Sequence, residues 1–276
     1  MSQKKADVKT LLEAGAHFGH KSSRWHPSMR EFIYTKRGGI HIIDLVQTAE
    51  RLESAEKFVE KAASGGKPVL FVGTKKHIAP VVSEAAESSG MPYVTNRWFG
   101  GILTNFETIS KRIKYYKKLS TDLDSGELDD IYNKKEVLDF EEERDKLSLS
   151  FAGIADMTEL PSAIFVADVM TEKTAVAEAN RLRIPVIGIV DTNADPSNID
   201  YPIPANDDAV KTVKLISECI ADAVKSDVDS YSKKSSNKDS EQPDDKKEKP
   251  VKKSTAKKSE PKQADAAKDD KNSKEG

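Results

Sequence analysis

Three short runs of unbroken apolar residues constrain this chain most: Pro68-Val-Leu-Phe-Val72, Ala163-Ile-Phe-Val-Ala167 and Pro185-Val-Ile-Gly-Ile-Val190. A strand with one wet face alternates apolar and polar residues, whereas a run with no polar break is covered on both faces. Helical spacing surrounds these runs. Leu45, Ala49, Leu52, Ala55, Val59 and Ala62 recur along one segment that ends at Gly65-Gly66, and Ile78 to Ser89 ends at Gly90. Lys173 to Leu182 separates the second and third runs, Asp207 to Val224 closes the pattern, and Pro92-Tyr-Val-Thr95 adds a further short run. Strands alternating with helices predict an α/β fold, a Rossmann- or flavodoxin-like parallel sheet flanked by helices with right-handed crossovers.

Two segments break the rhythm. Residues 104 to 150 are too long and too charged for one crossover, turn at Ser125-Gly126, and carry apolar stripes at Ile109, Ile113 and Tyr116 and at Val137, Leu138 and Leu147. They predict an inserted antiparallel helical hairpin of coiled-coil type, with a basic first arm and Glu141-Glu-Glu143 on the second. Charge pairing across the hairpin and separate RNA and protein faces both fit that pattern. From residue 226 the chain is Lys, Asp, Ser, Glu, Ala and Pro, a composition expected to remain disordered. The expected organisation is an α/β core of residues 1–103 plus 151–225, the insertion 104–150, and a charged tail 226–276. Ahead of the core, Asp7 caps a short helix that stops at Gly15, and His17 to Met29 reads as loop. Phe32-Ile-Tyr-Thr35, Lys36-Arg-Gly-Gly39 and Ile40-His-Ile-Ile43 read as a hairpin with a basic tip.

Charge is unevenly placed. Residues 1–120 hold 20 Lys and Arg against 11 Asp and Glu, residues 121–230 hold 10 against 25, and the rest hold 14 against 10. The near-neutral total therefore hides a basic half suited to a polyanion. The single cysteine, Cys219, excludes a disulfide framework within the chain and fits a reducing compartment. No run is long enough to span a membrane and the first residues carry no apolar leader core, so a cytoplasmic location is expected.

The segment Asn96-Arg-Trp-Phe-Gly-Gly-Ile-Leu-Thr-Asn-Phe106 combines a cation, an aromatic and paired glycines, then enters the basic run Lys111 to Lys118. Glycine lets a phosphate backbone approach, and Arg97 can fork onto phosphate oxygens. Val72-Gly-Thr-Lys-Lys76 ends a strand and precedes a helix, the usual ligand position of such sheets. It contains neither GxxxxGK[ST] nor GxGxxG, which favours an RNA phosphate over a small nucleotide. His17, His20 and His26 lack a second ligand pair at zinc spacing, so no metal is expected there. Asp191, Asp195, Asp207 and Asp208 stand at strand ends as weak candidates for a hard cation, with turn and helix-capping roles preferred.

Several segments in order carry a resemblance: Ala14-Gly-Ala-His-Phe-Gly-His20, Trp25-His-Pro-Ser-Met29, Phe71-Val-Gly-Thr-Lys-Lys76, Arg97-Trp-Phe-Gly-Gly-Ile-Leu-Thr-Asn105, Leu160-Pro161 with Ile164-Phe-Val166, Ile184-Pro185, Ile189-Val-Asp-Thr-Asn-Ala-Asp-Pro196 and Asn206-Asp-Asp208. Over roughly residues 6 to 225 the chain resembles the S-two family of small-subunit ribosomal proteins in its bacterial or organellar form. It departs from the family at His26, Phe99 and Ser162, and at Arg183 and Ala205, where the family commonly has glycine. The resemblance implies a non-enzymatic structural constituent of the small ribosomal subunit that binds its rRNA and supports translation. It also implies neighbouring subunit proteins as partners, including ribosomal protein S-one, with no cofactor and no membrane. The residues expected to meet RNA are Lys21, Arg24, Trp25, Lys36, Arg37, Lys75, Lys76, Arg97, Trp98, Asn105, Lys111, Arg112, Lys114, Lys117 and Lys118, through phosphate contacts and stacking. Two other readings stay open at this point. One is a phosphate-ester enzyme using Gly73 to Lys76 with Asp191, and the other is a protein-interaction adaptor using the acidic half.

Overall fold

The computed structural model describes residues 6–126, 128 and 131–236, with side chains to residue 226. The three apolar runs form strands β4 (Val69–Val72), β6 (Ala163–Val166) and β7 (Val186–Val190), buried at every position. With β5 (Tyr93–Val94) and β8 (Tyr201–Pro204) they make a parallel sheet in the order β5-β4-β6-β7-β8. Period-two alternation explains why no polar residue is tolerated. Val69, Phe71, Phe165, Ile187 and Ile189 point into one apolar cluster, while Leu70, Val72, Ile164, Val166 and Val190 point into another. Each such side chain contributes about 1.5–3 kcal/mol by leaving water.

Helices α1 (Val8–Ala14), α2 (Leu45–Ala63), α3 (Ala79–Ser89) and α7 (Val210–Ser236) cover the first face. Asp44 caps α2 by accepting from the Val46 N–H, and Leu45, Thr48, Leu52, Ala55, Val59 and Ala63 form its buried stripe. Helix α6 (Lys173–Leu182) lies on the second face. It ends at Arg183, whose φ of 57° is left-handed, which accounts for the glycine common in the family there. The crossover segments 104–150 hold α4 (Phe106–Ser125) and α5 (Lys134–Phe151), which lie against each other, with Tyr115 donating to Glu143. Residues 127, 129 and 130 between them lie outside the described residues. Ile113 is buried as expected, but Leu138 is 55% exposed and leaves the stripe assigned to it.

Three other expectations need correction. Part of the presumed loop 17–29 is a strand, β1 (Phe18–Lys21), which pairs antiparallel with β3 (Ile40–Ile43). With β2 (Ile33–Arg37) they form a separate sheet in the order β1-β3-β2. Strand β8 is a Tyr-Pro-Ile-Pro segment that its two prolines hide; it runs along the sheet edge, where a missing N–H does little harm. The last helix continues past Val224 to Ser236, and the rest of the expected tail lies outside the described residues.

Candidate nucleic-acid interface

The C-terminal ends of the parallel strands are where a ligand is expected, and around Lys75 that position holds a cluster of the chain's own side chains. Gly73 permits β4 to pass close to α3, since a Cβ there would lie 2.9 Å from Val82. Thr74 donates both its N–H and its hydroxyl to Glu172. The Lys75 ammonium turns inward onto Asp168 (2.8 Å), Asp207 (3.1 Å) and Asp208 (2.8 Å). Burial opposes that charge, but the hydrogen bonds to Asp168 and Asp208 and the field of Asp207 outweigh it and raise the Lys75 pKa. Burial and the charges of Asp168 and Asp191 push Asp207 up to about 7, only partly offset by Lys75. Burial likewise raises Glu172. Asp168, also buried, ends below the usual carboxylate range because Lys75 and Thr171 hold it.

His20 completes the cluster. Its Nδ1 lies 3.1 Å from Asp191 and its Nε2 3.5 Å from Asp208, and the hydrogen bond to Asp191 raises its pKa against burial. Thr192 holds the small sheet in register with this end of β7. Its hydroxyl accepts from the His20 N–H (2.8 Å) and its carbonyl from the His26 N–H (2.7 Å). His20, Asp191 and Asp207 offer ligand atoms within 4.8 Å of one another, a set able to take a divalent cation. Of the four weak cation candidates, Asp195 stands apart. It caps the turn at Pro196–Asn198 by accepting from Ser197, and that bonding lowers its pKa.

The Arg97 to Asn105 loop is organised in the same way. Glu178 of α6 accepts from Trp98 Nε1 (3.1 Å), Gly101 N–H (2.7 Å), Leu103 N–H (3.1 Å), Thr104 N–H (3.0 Å) and Thr104 Oγ1 (3.0 Å). Burial disfavours its charge, yet the donors from Gly101, Thr104, Trp98 and Leu103 hold its pKa below the ordinary glutamate value. The Trp98 indole N–H is thus bonded inward, and its half-buried ring packs against the core. Gly101, with φ of 99°, makes the turn that sends the chain into α4. Asn105 occupies the cap position of α4, but its carboxamide accepts from the Thr108 hydroxyl rather than from a backbone N–H. Arg97 stays exposed, and the aromatic beside it that reaches solvent is Phe99, stacked 6.4 Å from Phe151. Neither glutamate was legible as a loop anchor, since each lies far along the chain from the donors it holds.

Outward cations sit elsewhere. Arg37 and Lys21 pair with the two sides of Ile40 in β3, and the Ser22 N–H bonds the Gly39 carbonyl, so Lys21, Arg24, Lys36 and Arg37 share one end of the small sheet. All four are exposed, and among the described residues none has an ion-pair partner. Trp25 is half-buried there, its ring 5.3 Å from His41. On α4, Lys111 pairs with Glu107 and Lys117 with Asp156, while Arg112, Lys114 and Lys118 are exposed with no ion pair among the described residues. No described ion pair runs between α4 and α5; the acidic arm pairs within itself, Lys146 with Glu142 and Arg144 with Asp145. Lys76 is exposed beside the inward Lys75.

The parallel α/β core has its sheet-end loops tied by internal carboxylates, and exposed cations stand on the small sheet and along α4. Among the described residues no helix is long and apolar enough to cross a membrane. The family model described as ribosomal protein S2 matches residues 11–227. A protein of Fusobacterium nucleatum subsp. nucleatum, small ribosomal subunit protein uS2, is 51% identical over 217 residues, covering 79% of this chain and 88% of that one. The protein of the same name from Coprothermobacter proteolyticus is 50% identical over 219 residues, covering 79% and 81%. The chain belongs to the ribosomal protein S2 family, whose members are structural, non-enzymatic ribosomal components.

Proposed function

We propose that this chain is a structural constituent of the small ribosomal subunit that binds small-subunit rRNA through side-chain cations. The observation that carries the reading is the group of exposed cations Lys21, Arg24, Lys36 and Arg37 at one end of the small sheet, with no ion pair among the described residues. Lys and Arg that neutralise phosphates release the counterions condensed on the nucleic acid, and these four have no ion pair to break first among the described residues. Arg97, Arg112, Lys114 and Lys118 extend the footprint from the junction loop along α4, with Lys76 at its margin. Lys75 is assigned to internal support because its ammonium is already engaged, and Trp98 because its half-buried ring packs against the core while its N–H holds Glu178. Lys111 and Lys117 contribute after exchanging Glu107 and Asp156 for phosphate. Neighbouring subunit proteins, ribosomal protein S-one among them, are partners this reading allows, and the α4–α5 segment is treated as a projecting arm.

The enzyme alternative is disfavoured on physical grounds. A phosphate at Gly73 to Lys76 would need the Thr74 N–H and the Lys75 ammonium, both already bonded to buried carboxylates. The test is co-sedimentation of the full chain with small subunits lacking it, across a salt series. Binding is expected to weaken steeply with salt, and occupancy indifferent to salt would overturn a phosphate-led interface.

A further inference from the structure

The Glu178 carboxylate collects five hydrogen bonds from one short segment, two on Oε1 and three on Oε2. Four donors are N–H groups, which cannot reverse their polarity, so the site requires acceptors on both oxygens. A protonated acid or an amide would present a donor to at least one of them. The N–H groups of Gly101, Leu103 and Thr104 converge on this carboxylate as successive backbone amides converge on a bound phosphate. Glu178 itself is 8% exposed and comes from a helix on the second face of the sheet, 74 residues beyond Thr104.

We propose that Glu178 is a positioning residue: an internal anion that closes the Gly101–Thr104 amide cradle, fixing where Arg97 is presented and where α4 leaves the core. The backbone amides that could otherwise meet an approaching RNA phosphate are thereby engaged from within. RNA meets the outer side of the loop, where Arg97 and Phe99 are exposed. This inference rests on the reading of Arg97 and α4 as an RNA-facing surface.

The experiment compares the full chain with Glu178→Gln, which preserves shape, and Glu178→Ala, which empties the cradle. Amide hydrogen exchange of Gly101, Leu103 and Thr104 is expected to quicken at least tenfold in Glu178→Gln, roughly the loss of one charge-assisted bond. The strand amides of Leu70 and Ile164 are expected to keep their protection. In Glu178→Ala, acetate is expected to restore loop protection where sodium chloride at equal ionic strength does not. Incorporation into small subunits lacking this protein is expected to fall at least tenfold in both variants. Wild-type exchange at the three loop amides in Glu178→Gln overturns the proposal. So does a loss of protection that spreads through the strands, which assigns Glu178 to general packing. Loosened loop amides with unchanged incorporation would leave the positioning role standing and remove the loop from the RNA face.

Discussion

Lys36-Arg37-Gly38-Gly39 and Gly73-Thr74-Lys75-Lys76 look alike as sequence, each a pair of cations beside glycine at a turn. In the folded chain they behave oppositely. Lys36 and Arg37 stand on the outer strand of the small sheet and form no ion pair among the described residues, whereas Lys75 is drawn into Asp168, Asp207 and Asp208. The difference does not lie in the local residues. It lies in which distant segments the topology delivers: the loops after β6 and β8 bring Asp168, Asp207 and Asp208 to Lys75, while β2 stands at the edge of its own sheet. A cation's availability to RNA is a property of its neighbours in space.

Substitutions should separate the two places by the quantity they move. Lys75→Met is expected to cost the most, about 3–5 kcal/mol in urea unfolding, because it strips buried carboxylates of their partner. A loss under 1 kcal/mol with a reduced RNA salt slope would put Lys75 back among the RNA contacts. Thr192→Val keeps volume but leaves the His20 N–H and Asp191 without the hydroxyl. About 1–3 kcal/mol is expected, read as faster exchange in β1 than in β7.

Next is a pH dependence of stability. Asp207 ionises at 3.8 ordinarily and at about 7 when folded, so between those values the folded state holds a proton that the unfolded state lacks. Its contribution to stability therefore falls as pH rises through that window. Asp207→Asn should flatten the fall, seen by comparing unfolding at pH 5 and pH 8; an unaltered profile would remove Asp207 as its source. Glu178 and Asp168 act with the opposite sign, since their folded pKa values are depressed and their stabilisation is lost as pH drops through them.

The smallest stability effects are expected at Lys36→Ala and Arg37→Ala, within about 0.5 kcal/mol. Each should nevertheless lower the salt slope of small-subunit binding by about 1. Unchanged slopes would break the comparison from its other side.

Much of the architecture was legible. Continuous apolar runs marked β4, β6 and β7 because a strand between two helical layers has no face for a polar residue. Helix α6 was bounded correctly at Lys173 and Leu182, and α3 stopped at Gly90 as expected. Strand β1 was missed because four residues including a glycine carry little periodicity, and β8 because its prolines argue against an interior strand. The site was legible in outline only. The loops bearing Lys75 and Trp98 were found, but not which way those side chains face.

What the sequence determined by itself was set by neighbours along the chain: the apolar period of the buried strands and helices, the glycine stops and the segregation of charge. The motif order alone was also enough to identify the family. What only the tertiary structure decided was the state of each polar group. Nothing in the sequence singles out Glu172 or Glu178, yet they are buried, at 3% and 8% exposure. They bond Thr74 and the Gly101–Thr104 segment, which lie far from them along the chain. Electrostatic interactions depend on distance in space and on the local dielectric, and a linear string carries neither.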